Sequence, residues 1–286
     1  MADAINDMEI FRGATVLVTG HTGFKGSWLS AYLKFLGAEV IGLSKDIPTK
    51  PSHFQILPAC VDLDCRFDIT EVSRLAELLL DARPDFIFHL AAQPLVFESY
   101  KNPFETFKTN ILGTASVAEA LRISGLSCSV VFITSDKVYK NEEWTFSYRE
   151  IDALGGDDPY SGSKAGAEMV VKSYFQSFFN LDDKVRVGVA RAGNVIGGGD
   201  WAPDRIIPDC VRAWQNGETV KLRNPQATRP WQHVLDPIGG YLLLASAIFK
   251  SNRLSGSAFN FGPSSSRTVS DLVKRCSECW PSSKWQ

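Results

Sequence analysis

Residues 16–37 read VLVTGHTGFKGSWLSAYLKFLG, and this stretch decides the fold. A short apolar, β-branched run ends at Gly20, and Gly23 and Gly26 follow at three-residue steps into a segment whose apolar residues recur at helical spacing. A strand that turns sharply into a helix leaves bare N–H groups at the positive end of the helix dipole, where a pyrophosphate can approach glycines that carry no side chain. The loop therefore predicts a nucleotide site, with Gly20, Thr22, Gly23, Phe24, Lys25 and Gly26 as cofactor-binding candidates.

The same alternation recurs outward from that stretch. AEVIGLS (38–44), DFIFHLAA (85–92), SVVFITS (129–135) and KVRVGVARAG (184–193) read as strands, separated by helical stretches at 103–124 and 160–178. Strands alternating with helices mean βαβ units, hence a doubly wound parallel sheet, an α/β Rossmann fold. Three of the strands, near 15–19, 86–89 and 130–134, are apolar almost throughout, as strands covered on both faces should be. After residue 191 the texture changes to glycine and aromatic residues. We therefore expect a dinucleotide-binding domain over 1–190 and a smaller substrate-binding lobe over 191–286. Part of that lobe should fold back on the first domain: residues 229–249 read as a turn and then a helix from near Asp236, and AFNFG (258–262) as a short strand.

Thirty basic and thirty-two acidic residues in 286 leave a net charge of −2, so no global field draws this protein to nucleic acid or to an anionic membrane. The N-terminus lacks the basic-then-apolar layout of a secretory signal. The longest apolar run, YLLLASAIF (241–249), is far shorter than the ~20 residues a spanning helix needs. The expectation is a cytoplasmic protein acting on small molecules. Six cysteines are scattered through the chain, and the one C-x-x-C, Cys276 and Cys279, lies in the amphipathic stretch TVSDLVKRCSECW without a second pair or a histidine nearby. No metal is expected; the two cysteines read as half-buried helix residues.

Asp46, shortly after the second strand, is the candidate for the ribose hydroxyls, and a carboxylate there favours NAD because it repels a 2′-phosphate. Lys45 and Lys50 are the opposing signal. Asp68, with Ile69 beside it, is placed to reach the adenine, and Leu90, Ala91, Ala92 and Gln93 should run along the cofactor.

Tyr160 and Lys164 in DPYSGSKAGAE (157–167) stand one helical turn apart on one face. Ser135 supplies a hydroxyl at the C-terminal end of a buried strand, where open parallel sheets place their ligands. An ammonium beside a phenol should lower its pKa from about 10 toward neutrality, making it a base for a sugar hydroxyl. Asp136 and Lys137 follow Ser135 directly, which is more than alcohol oxidation needs. They suggest a second proton transfer, with a salt bridge or turn cap as the competing account.

The G-x-x-G-x-x-G spacing resembles that of short-chain dehydrogenases/reductases. TGHTGFKGSWLS, TSDKVYKN, DPYSGSKAGAE, ARAGNVIGGGDWAPDRIIPD and RPWQHVLDP together resemble, over essentially the whole chain, the CDP-glucose 4,6-dehydratases, extended members of that group from bacterial dideoxysugar and O-antigen lipopolysaccharide biosynthesis. The resemblance implies bound, recycled NAD and CDP-glucose as substrate. It assigns Tyr160, Lys164 and Ser135 to oxidation at C4, Lys137 to removal of the C5 proton and Asp136 to protonation of the departing 6-hydroxyl. It also implies that Asn194, Arg205 and Arg229 meet the substrate, with Arg205 and Arg229 suited to its diphosphate, and that His233 contacts it or fixes its loop. Members of that family are longer, so the second lobe is expected to continue past Gln286. A nucleotide-sugar 4-epimerase shares the triad without the acid–base pair, and an NAD-binding regulator would keep only the fold. The 104–124 and 160–178 helices are apolar enough to pair in a homo-oligomer, a dimer or tetramer.

Overall fold

The computed structural model describes residues 7–57 and 59–286; the first six residues of the N-terminal stretch lie outside that range. Seven parallel strands form one sheet: β1 (Thr15–Thr19), β2 (Glu39–Leu43), β3 (Leu63–Cys65), β4 (Phe86–His89), β5 (Cys128–Ile133), β6 (Val185–Ala192) and β7 (Ser257–Phe261). Their order across the sheet is β7-β6-β5-β4-β1-β2-β3. The sequence direction therefore reverses between β1 and β4, and the glycine loop leaves β1 at that switch point.

The strands are apolar on both faces because both are covered. Along β1, Leu17 faces one hydrophobic core while Val16 and Val18 face the other; along β5, Val130 and Phe132 divide from Val131 and Ile133 in the same way. The glycine helix α1 (Phe24–Phe35) packs Leu29 and Leu33 into the second core. Helices α2 (Val72–Ala82), α3 (Gly113–Ser124) and α4 (Pro159–Tyr174) cover the first with Leu75 and Leu79, Val117 and Leu121, and Val171.

The stretch read as one helix over 103–124 is broken. A π-helical segment at Lys108–Leu112 interrupts it, and the extra residue per turn brings Asn110 into the interior. The second helix, read over 160–178, starts at Pro159, with Asp158 as its cap accepting from the Ser161 N–H at 3.0 Å, and ends in a π segment at Phe175–Phe179.

Beyond β6 the chain leaves the sheet for α5 (Ile206–Gln215) and returns as α6 (Leu235–Lys250), which packs Ile238, Tyr241, Leu242 and Ile248 into the second core, and as β7, which pairs with β6. Helix α7 (Val269–Glu278) packs on α5 through a separate small core of Cys210, Trp214, Val220 and Val273, with Cys276 and Trp280 at its edge. Cys276 is thus half-buried packing, whereas Cys279 is exposed. Among the described residues no helix is long and apolar enough to cross a membrane.

Candidate active site

The glycine loop is held too tightly for any side chain at its ends. Gly20 has φ +74°, and a Cβ there would stand 2.7 Å from the Ala91 nitrogen; a Cβ on Gly26 would stand 2.1 Å from the Gly20 carbonyl oxygen. The loop is tied to β2 and the turn after it: the Gly20 N–H donates to the Leu43 carbonyl at 2.7 Å, and the Thr22 hydroxyl donates to the Asp46 carbonyl at 2.6 Å. Asp46 is exposed at the end of β2. Asp68 is more committed than expected, since its carboxylate accepts from the Thr70 N–H and hydroxyl and pairs with Lys45 at 3.0 Å. The Ile69 side chain packs into the core against Gly113, so its backbone is the part left for a ligand.

Leu90, Ala91 and Ala92 continue β4 past the glycine loop, and the Ala91 N–H donates to the Thr19 hydroxyl at 3.2 Å. The Gln93 side chain is engaged within its own loop. It donates to the Leu95 carbonyl and the Thr106 hydroxyl and accepts from the Leu95 N–H.

Ser135 follows the end of β5 and caps the short turn at Asp136–Val138, accepting from the Lys137 N–H at 3.2 Å and donating to the Asp136 carboxylate at 3.1 Å. Tyr160 and Lys164 are buried on α4. Lys164 Nζ lies 3.5 Å from the Ile133 carbonyl at the end of β5, two residues before Ser135. The helix therefore delivers both side chains to the strand end that carries the serine.

One electrostatic expectation is overturned. The Tyr160 phenol is raised above its usual pKa, by burial first and by Asp136, while hydrogen bonding with Ser135 and the Arg205 charge oppose. Burial and the Lys25 charge push Lys164 itself down to about 7, against Glu168 one turn on, so near neutrality it holds only part of the charge it was expected to lend. Lys25, the second residue of α1, is pushed down to about 8 by burial and by Arg205, with Asp136 and Asp200 opposing. These interactions gather the glycine helix, the Ser135–Lys137 turn and the loop after β6 around one cleft.

Arg205 pairs with the buried Asp200 at 3.3 Å. Asn194 is half-buried just past β6, and its carbonyl accepts from the Gln232 N–H. Arg229 is exposed, its guanidinium donating to its own neighbour's carbonyl at Thr228. The His233 N–H donates to Asp236 and its ring accepts from the Leu235 N–H at the start of α6. His233 also lines a cavity of about 370 Å³ with Trp231, Arg267 and Arg275, which no triad residue lines.

Residues 16–262 match the model of the family described as "NAD dependent epimerase/dehydratase family". The chain belongs to that family. It is 44% identical over 281 residues to a CDP-glucose 4,6-dehydratase of Salmonella typhimurium, covering 96% of this chain and 78% of that one. Among solved structures, MoeE5 with UDP-glucose and NAD is 27% identical with a TM-score of 0.78, over 95% of this chain and 85% of that one. The dTDP-glucose 4,6-dehydratase of Streptomyces venezuelae, with NAD bound, shares the fold at a TM-score of 0.80 and 24% identity, over 95% and 84%. The 4,6-dehydratases of this epimerase/dehydratase family are hydro-lyases, and its cofactor is NAD.

The residues present fit that cofactor. The glycine cradle would be filled by any Cβ, the N-terminus of α1 opens onto it, and Asp46 stands beyond β2. Sequence reasoning missed two residues that shape the site. Asn110, turned inward by the π segment, accepts from the Gln93 N–H at 2.8 Å and donates to the Ser163 hydroxyl at 2.8 Å, joining the cofactor loop to α4. His89, buried against Thr19 and Thr114, is pushed down to about 3 by burial and by Lys164 and stays neutral. An asparagine and a histidine within otherwise apolar segments were the available signals.

Proposed function

We propose that this protein converts CDP-glucose to CDP-4-keto-6-deoxyglucose and water. The observation that carries the reading is the Ser135–Asp136–Lys137 turn at the end of β5, with the buried Tyr160 and Lys164 brought to the same strand end. The 44% identity to a CDP-glucose 4,6-dehydratase supports cytidine as the base.

Bound in the glycine cradle at the start of α1, NAD would supply the hydride acceptor for C4 and donor for C6, and a positive charge opposing the raised phenol pKa. Tyr160 accepts the 4-hydroxyl proton while Ser135 holds the 4-oxygen. In the resulting ketone the C5 proton is acidic, because its electron pair delocalises into the carbonyl. Lys137 removes that proton and Asp136 protonates the departing 6-hydroxyl, which leaves as water. Lys137 then returns a proton to C5. At the end Tyr160 holds one extra proton and Asp136 lacks one, and Ser135, hydrogen-bonded to Asp136, stands where a relay between them would run.

Arg205, Arg229 and Asn194 are the proposed substrate ligands, planar forks being suited to a diphosphate. The smaller lobe from about residue 191 is their platform. The proposed setting is the cytoplasm, in bacterial dideoxysugar and O-antigen synthesis. A homo-oligomer is proposed from exposed Tyr100, Phe104, Leu112, Met169 and Phe178, on or beside the two helical stretches.

The test is incubation with CDP-glucose and NAD, followed by alkali-developed ultraviolet absorbance of a 4-keto-6-deoxy sugar. Absorbance with UDP-glucose or dTDP-glucose instead would correct the base, and formation of CDP-galactose without loss of water would favour the epimerase.

A further inference from the structure

We propose that the buried Arg191–Glu168 ion pair is a brace that fixes both ends of the Ser135–Asp136–Lys137 turn against the catalytic helix, an inference that rests on the dehydratase reading. Each side chain is 4% exposed, and the guanidinium grips the carboxylate through Nε at 2.9 Å and 3.0 Å and through Nη2 at 2.5 Å. The pair does more than satisfy itself. Glu168 accepts from the Thr134 hydroxyl at 2.6 Å, one residue before Ser135. Arg191 donates through Nη1 to the Tyr139 hydroxyl at 2.8 Å, two residues after Lys137. The Tyr139 hydroxyl in turn donates a hydrogen bond to Asn260 Oδ1 on β7 at 2.6 Å, and Arg191 Nη1 also reaches the Glu150 carbonyl.

Three elements meet at this pair: β6 through Arg191, α4 through Glu168, and the two flanks of the catalytic turn. Glu168 lies one helical turn beyond Lys164 on the same face, so the carboxylate that holds Thr134 also fixes the helix carrying Tyr160 and Lys164. An apolar pair of equal volume would fill this space without the desolvation cost of two charges. What the ion pair adds is direction: five fixed donors and two acceptor oxygens hold hydroxyls on both sides of the turn at set positions. In a reaction whose elimination step needs Lys137 at C5 and Asp136 at the 6-oxygen together, displacement of that turn by a fraction of an ångström lowers turnover without loosening the substrate.

Arg191, Glu168, Thr134 and Tyr139 are thus positioning residues. Removing either charge would strand its partner in the core and risk unfolding, so the test removes single hydroxyls from the full protein, Thr134→Val and Tyr139→Phe. Each is expected to lower kcat on CDP-glucose by about ten- to a hundredfold with KM unchanged and melting temperature lowered by no more than about 2–4 °C. Thr134→Ser, which restores the hydroxyl, should recover kcat. Parental kcat in both variants would overturn the brace, as would a kcat that falls only together with KM and melting temperature and is not recovered by Thr134→Ser. An inactive parent protein would instead sink the dehydratase reading, a result distinct from an active parent with unaffected variants.

Discussion

The Ser135 hydroxyl donates to the Asp136 carboxylate at 3.1 Å, which puts the group proposed to hold the 4-oxygen and the group proposed to expel the 6-hydroxyl on a single hydrogen bond. The two halves of the proposed reaction are therefore coupled through adjacent residues. They can still be separated by substitution.

Asp136→Asn should permit oxidation at C4 but block loss of water. A borohydride quench would then return a mixture of CDP-glucose and CDP-galactose from the trapped 4-ketone, with no 4-keto-6-deoxy product. Tyr160→Phe should stop the earlier step, lowering kcat by about 10²–10⁴ and giving no galactose on quenching. Identical quench products from the two variants would contradict the assignment.

Burial and the Lys25 charge push Lys164 down to about 7 in the folded protein from an ordinary 10.5. Between those values the unfolded chain holds more protons than the folded one, so stability rises with pH across that window, and the penalty for a buried charge is complete below about 7. Lys164→Met removes this contribution. Its urea midpoint should change less between pH 7 and pH 9 than that of the parent, and equal pH slopes would refute the shift. Lys25→Met, by deleting a like charge, should move the Lys164 titration upward.

Gly26→Ala places a methyl 2.1 Å from a backbone oxygen that cannot swing aside. The loop must open, at a cost of about 1–3 kcal/mol in stability. NAD affinity, read by fluorescence titration, should fall with it, and unchanged affinity would remove the glycine cradle from the cofactor site.

Phe104 is 75% exposed at the start of the interrupted helix. Phe104→Glu should shift the mass measured by light scattering toward the monomer with the far-ultraviolet spectrum preserved. A parent protein that is itself monomeric would end the proposal of pairing through this face.

The parallel sheet, the strand-to-helix glycine turn and the Tyr160–Lys164 helix were legible because each rests on local periodicity and on residue types with narrow conformational uses. The π segment at Lys108–Leu112 was not, since an extra residue in a helical turn leaves the apolar pattern nearly intact and shows itself through the burial of Asn110. The side-chain partner of Gln93 was hidden for a related reason: its place after β4 is local, but the hydroxyl of Thr106 that captures its side chain is thirteen residues on.

The sequence by itself determined which groups are available for chemistry and on which elements they ride, because strand period, glycine turns and helix spacing are nearest-neighbour physics. Only the tertiary structure decided their state. Burial raised the Tyr160 phenol and discharged part of Lys164, the reverse of what their spacing alone suggested, since desolvation depends on everything packed around a group. It also joined Thr134, Tyr139, Glu168 and Arg191, spread over 58 positions of chain, into one buried network that no periodicity announces.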